Sequence, residues 1–323
     1  MNDCSQIMSN LLTNVKKVIV GKDEQIKLAL SCWFAGGHVL LEDAPGTGKT
    51  MLARAIAQSV AVDFKRVQFT PDLLPSDIVG SSIYNQSNGE FQFIPGPLHT
   101  TIFLGDEINR ATPRTQSALL ESMAEGQMTV DGNTHKLPPL FFVMATQNPV
   151  EHQGTFPLPE AQLDRFMMKL SLGYPTVKDE IQVIKSQNQT HPINNLKASE
   201  TEARILFVKT QVPQVRVNDQ IYEYAAKIIS RTRMYPEVKL GASPRATIAL
   251  IRCAQASALF DGMDYVRPVH VNNLVKPILG HRLMLTPEAR LEGKTVMQTL
   301  EAILREIPVP VSENDNRPTQ KAS

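Results

Sequence analysis

The chain is 323 residues long and 42% hydrophobic, enough to bury a substantial core and to form two domains, or one large domain with an appendage. Its 33 Lys and Arg nearly balance 32 Asp and Glu, leaving a net charge of +1. That balance supplies no overall basic field to hold nucleic acid and no acidic bias, although a local patch is compatible with it.

The first residues, MNDCSQIMSN, carry no basic region ahead of an apolar stretch, and no apolar run approaches membrane-spanning length. A cytoplasmic protein without a membrane span is therefore expected. Cys4, Cys32 and Cys253 are widely spaced and odd in number, which supports neither a disulfide framework nor a zinc knuckle. From about residue 38 to 172, short apolar runs alternate with helical patterns, as in a layered α/β domain with a largely parallel sheet. Val39-Leu40-Leu41, Val67-Gln68-Phe69, Ile102-Phe103-Leu104 and Phe141-Phe142-Val143-Met144 are the strand candidates. Residues 49 to 60 and 114 to 125 have helical spacing, with Gly126 as the C-terminal cap of the second helix.

The first strand runs into EDAPGTGKTM, a phosphate loop in which Pro45, Gly46, Thr47, Gly48, Lys49, Thr50 and Met51 are the candidate nucleotide-binding residues. Such a loop aims successive backbone N–H groups and a helix N-terminus at the anion; Lys adds a full charge and the Thr hydroxyl reaches Mg²⁺. Asp43 stands where the usual pattern begins with Gly, but at the strand exit another residue is tolerated if its backbone stays in an ordinary region. The third strand ends in Gly105-Asp106-Glu107, two carboxylates at the carboxyl edge of the sheet, where ligands bind in such folds. Asp106 is expected to hold Mg²⁺ and Glu107 to polarise the attacking water. The fourth ends near Asn148, which can donate to a γ-phosphate oxygen and accept from water.

Two hairpin signals interrupt this pattern. Ser82-Ile83-Tyr84 and Phe91-Gln92-Phe93 flank Asn88-Gly89, and Met128-Thr129-Val130 precedes Asp131-Gly132. They read equally as edge strands or as projecting functional elements. After Gly173-Tyr174-Pro175 the pattern changes to amphipathic helices, for example 219 to 231 and 244 to 260, with little strand character. The seven histidines show no metal spacing.

The segments LLEDAPGTGKT, FLGDEINRATPRTQSALLESMAEGQMTV, MATQNPVEHQGTFPLPEAQLDRF and GASPRATIAL resemble the MoxR family of AAA+ ATPases, over about residues 15 to 300. An Asp before Ala-Pro-Gly looks normal for that family, whereas Gly105 is less typical. The resemblance implies a P-loop α/β core with a parallel sheet and two inserted β-hairpins and a smaller all-α lid, which the change of pattern puts over 1–174 and 175–308. The polar, Pro-containing end without periodicity, 309–323, is expected to be a disordered tail. It further implies ATP and Mg²⁺, a homo-oligomeric ring, generally a hexamer, and ATP between protomers. Asn148 matches sensor 1, Arg165 the finger that reaches a neighbour's γ-phosphate and Arg245 the lid arginine called sensor 2. Val20 and Gly21 match a segment bordering the adenine, though they also read as a plain helix start. The hairpins would face the ring pore or a partner, and we expect protein contact because their tips lack an aromatic and basic combination. The implied role is a chaperone for maturation or metal-cofactor insertion, with a client that commonly contains a von Willebrand factor A domain. The alternatives are a nucleotide-gated scaffold with little turnover, a chelatase subunit or a nucleic-acid motor.

Overall fold

The computed structural model describes residues 2–87, 89–148, 154–186, 188 and 190–310. Five parallel strands form the central sheet: β1 (Val39–Glu42), β2 (Phe64–Gln68), β3 (Ile102–Asp106), β4 (Phe142–Gln147) and β5 (Met168–Leu170), in the spatial order β2-β3-β4-β1-β5. The inner strands are apolar along their central residues because both faces are covered there, and turn polar only at their carboxyl ends. Val39, Leu41, Ile102, Leu104 and Met144 face one core, while Leu40, Phe103, Val143 and Ala145 face another built on Leu119, Leu120 and Met123. Each fully buried aliphatic or aromatic side chain contributes roughly 1.5–3 kcal/mol.

Helices α1 (Asn2–Lys16), α2 (Asp23–Phe34) and α3 (Lys49–Val60) supply residues to the first core, and α4 (Pro113–Glu125) to the second. Pro113 occupies the first turn of α4, and Gly126, at φ 63°, ends it with its N–H on Ser122 O. Trp33 of α2 stacks on Phe142 with ring centroids 5.8 Å apart and donates its indole N–H to Leu140 O at 2.9 Å.

Beyond β5 come α5 (Val177–Ser186), α6 (Glu202–Gln211), α7 (Asp219–Met234), α8 (Pro244–Phe260) and α9 (Pro268–Leu279). Leu250, Val271 and Leu274 of this region share one continuous core with Ile7 and Leu11 of α1. One short antiparallel ladder, Val238–Leu240 with Met284–Leu285, interrupts the helices there.

Two strand positions differ from the apolar runs. β2 starts at Phe64 and ends at Gln68, because an edge strand leaves one side to solvent and accommodates Lys65 and Arg66. β4 runs on through Thr146 and Gln147, whose polar side chains meet the cleft at the strand end rather than the core. The short apolar run Phe166-Met167-Met168 is interrupted by Lys169 as β5 begins; among the described residues β5 pairs with β1 alone, and Lys169 is ion-paired with Glu42 at 3.0 Å.

Both hairpins form, Gly80–Asn85 with Glu90–Pro95 and Gln127–Val130 with Asn133–Lys136. Asp131 and Gly132 have φ of 50° and 79°, as a two-residue primed turn requires. Phe93 of the first hairpin stacks on His135 of the second at 3.8 Å, while Tyr84 and Phe91 lie exposed on the first. Asn88, His152 and the expected tail beyond Pro310 lie outside the described residues.

A candidate nucleotide cleft and a separate arginine cleft

The phosphate loop is shaped by Gly46 and Gly48, at φ 81° and 92°, positions where a side chain would be strained. It delivers the N-terminus of α3 to a cleft of ≈ 350 Å³ lined by Pro45, Gly46, Thr47, Gly48, Lys49, Thr50 and Met51. Lys49 Nζ donates to Asp43 O at 3.0 Å and Ala44 O at 2.8 Å. Burial lowers the Lys49 pKa, opposed by the carboxylates of Asp43, Asp106 and Glu107.

Asp106, Glu107, Thr146, Gln147 and Asn148 line the same cleft, so the ends of β1, β3 and β4 converge as the sequence implied. Asp106 is buried, and its carboxylate pairs with Arg66 Nε at 2.5 Å and accepts from Thr146 Oγ1 at 3.2 Å. Glu107 sits in the left-handed region at φ 56°, ψ 51°, a conformation costing of order 1–3 kcal/mol for a non-glycine residue. Its N–H donates to Thr146 Oγ1 at 2.8 Å, and its carboxylate accepts from Gln68 Nε2 at 2.7 Å and Arg110 at 3.1 Å. Arg66, Gln68 and Thr146 carry no motif of their own; only tertiary pairing of β2 and β4 with β3 brings them to the acids, whereas Arg110 reaches Glu107 locally from the turn that follows it.

Arg165 and Arg245 line a different cleft, with Gly37, His38, Asp164 and Arg282, that has no residue in common with the nucleotide cleft. Arg165 donates to Leu120 O at 2.8 Å, and Arg245 lies 3.8 Å from Asp164. Val20 and Gly21 line a third, with Lys16, Asp23 and Asp179. A side chain at Gly21 would collide with the Asp179 carboxylate, while Ile19 Cδ1 comes within 3.9 Å of where a Cβ on Gly48 would stand. Ile19 thus reaches the phosphate loop from this segment, and the sequence reading passed it over.

A sequence signature described as "ATPase family associated with various cellular activities (AAA)" matches residues 38–168, and one described as "AAA lid domain" matches 230–307. "Chaperone MoxR1" of Mycobacterium tuberculosis is 38% identical over 94% of this chain and 82% of its own length. The chain belongs to the MoxR family of AAA+ ATPases. A Bacillus subtilis relative, "Uncharacterized protein YeaC", is 49% identical over 97% of this chain and 98% of its own. The crystal structure of a "putative ATPase" from Cytophaga hutchinsonii aligns with a TM-score of 0.88 at 38% identity, covering 95% of this chain and 96% of that one.

The residues of this MoxR-family cleft fit a magnesium nucleotide: loop amides, a helix N-terminus, an ammonium, the Thr50 hydroxyl and a buried carboxylate at Asp106. Among the described residues no group of three or more His, Cys, Asp or Glu could hold a metal ion alone, so phosphate and water would supply its remaining ligands. No helix among them is long and apolar enough to cross a membrane.

Proposed function

We propose that this MoxR-family protein is a Mg²⁺-dependent ATP hydrolase that acts as a homo-oligomeric ring, a hexamer, and remodels a client protein in the cytoplasm. The observation that carries this reading is the division of parts: the loop and acids share one cleft, while Arg165 and Arg245 share another. No protomer unites them, so a neighbour's arginines complete each site.

In this reading the backbone N–H groups of residues 46–51 and the Lys49 ammonium bind the phosphates, Pro45 shapes the loop entry without donating, and Val20 and Gly21 border the base. Thr50 and Asp106 would hold Mg²⁺, which neutralises charge on the phosphates. Glu107 accepts the proton of the attacking water, and Asn148 donates to a γ-phosphate oxygen. Arg165 and Arg245 of the adjoining protomer stabilise the charge of the transferring phosphoryl group, for which a delocalised rigid fork is suited. Loss of the γ-phosphate contacts then lets the lid (175–308) rotate on the core (1–174). Maturation or metal-cofactor insertion, with a partner containing a von Willebrand factor A domain, is the client reaction that the family relationship favours.

A second reading, a nucleotide-gated scaffold, draws support from the engagement of Asp106 by Arg66 and of Glu107 by Gln68 and Arg110. Steady-state ATP hydrolysis against protein concentration, with light scattering to follow assembly, separates the two. Specific activity that rises with assembly and vanishes in Glu107→Gln, which still binds ATP, is the expected result. Negligible turnover at every concentration, despite tight binding, would replace the hydrolase with the scaffold.

A further inference from the structure

Two buried charged residues that the proposed chemistry does not use grip opposite ends of one stretch of chain. Asp43, 5% exposed, spends its carboxylate on the exit from β5. Its Oδ1 accepts from Ser171 Oγ at 2.6 Å and Gly173 N at 2.9 Å, and its Oδ2 from Leu172 N at 2.7 Å. Arg282, 7% exposed, grips the other end. Its Nε donates to Asp164 Oδ1 at 2.7 Å, and its terminal nitrogens donate to Asp164 O at 3.2 Å, Phe166 O at 2.8 Å, Met167 O at 3.1 Å and Ile278 O. Asp164 also accepts from Ser243 Oγ at 3.1 Å, two residues before Arg245.

Between these clasps runs 164–173, which begins beside Arg165, becomes β5 and ends at Asp43. β5 is hydrogen-bonded along β1, the strand that leads into the phosphate loop, so the stretch is braced rather than loose. Lys49 ties the opposite side of the Asp43 peptide, through Asp43 O and Ala44 O. A triphosphate competes for that ammonium. As phosphate takes it over, the main chain at Asp43 and Ala44 loses a partner, and the Asp43 carboxylate hands any displacement to residues 171–173.

We infer that Asp43 and Arg282 are positioning residues that make 164–173 a strut between a protomer's own phosphate loop and the arginines it offers its neighbour. Occupancy of one site thereby sets the readiness of the next. The inference rests on the reading that Arg165 acts across the protomer interface.

Mixed rings test it with the full-length chain. Glu107→Gln subunits have an inert site but intact arginines; Arg165→Ala subunits have an intact site and no finger. Turnover recovered on mixing the two measures arginine presentation alone. Adding Asp43→Asn to the Glu107→Gln donor leaves one oxygen for three donors, and adding Arg282→Lys removes the fork. Each should cut recovered turnover by about fivefold or more, the lower end of ordinary site-to-site coupling. Donor affinity for a fluorescent ATP analogue and mixed-ring sedimentation should stay within about twofold. Ser171→Ala, which deletes a single donor to Asp43, is a milder variant for the case in which Asp43→Asn does not fold, and should lower recovery in the same direction. Unchanged recovery at saturating nucleotide, with assembly matched, would overturn the strut, even if the donor's own nucleotide affinity had dropped. If the parent Glu107→Gln donor restores nothing, the neighbour-completed site itself is wrong and the strut falls with it.

Discussion

Thr146 joins the two acids. One hydroxyl accepts the Glu107 N–H and donates to Asp106, so it holds the left-handed backbone of one carboxylate against the side chain of the other. Thr146→Val keeps the shape and removes both bonds. A buried donor left without its acceptor costs about 1–3 kcal/mol, and the tilt of Glu107 would lower kcat by about an order of magnitude or more, a part of the roughly 10²–10⁴-fold that a positioned base contributes. ATP affinity should remain close to normal, because the loop amides and Lys49 are untouched. Turnover equal to wild type would remove Thr146 from the site. The meeting of Lys49, Asp106 and Glu107 in one cleft was legible in the sequence because residue type and spacing announce it. Thr146, Arg66 and Gln68 were not, since only the register of β2 and β4 against β3 gives those side chains a task.

At the level of elements, strands buried on both faces were the readable ones, because continuous apolar runs have few other uses. β2 and β5 are edges, where charge is tolerated and the run dissolves. Gly105, less typical of the family pattern, has a packing reason. A Cβ there would stand 3.1 Å from the Phe69 ring and 3.2 Å from Ile108. Gly105→Ala should therefore lose about 1–3 kcal/mol, the usual cost of overfilling a packed site, and shift the acids that follow. A urea midpoint equal to wild type would show that Phe69 swings aside at no cost. The hairpins were placed correctly by their turn residues, but the stack of Phe93 on His135 that ties one to the other could not be read, because no local pattern pairs residues so far apart.

Across the whole molecule, the helices that follow the sheet share a core with α1, so stability is a property of the entire chain. His38 is a sensitive point in it. Burial lowers its pKa from 6.5 to about 4; it accepts the Val143 N–H at 3.0 Å and faces Met123 O at 3.2 Å. The unfolded chain binds a proton near pH 6.5 that the folded chain refuses until about pH 4. Stability is therefore full above pH 6.5 and declines on acidification through that window, by roughly 3 kcal/mol for this group. His281, also driven down by burial, acts in the same direction. His38→Gln should be less stable at pH 7 but decline less steeply towards pH 4 in urea titrations; an identical slope would assign the acid sensitivity elsewhere.

Trp33 gives these measurements a built-in signal. It is the sole tryptophan of the sequence, 1% exposed, and locked between α2 and the start of β4. Its emission should be blue-shifted in the native protein and move to the red only when water reaches that seam. Since Trp33 lines none of the three clefts described, adding ATP should leave its spectrum nearly still. Intrinsic fluorescence of this chain is thus a meter of unfolding at one address, and nucleotide titrations need a different dye.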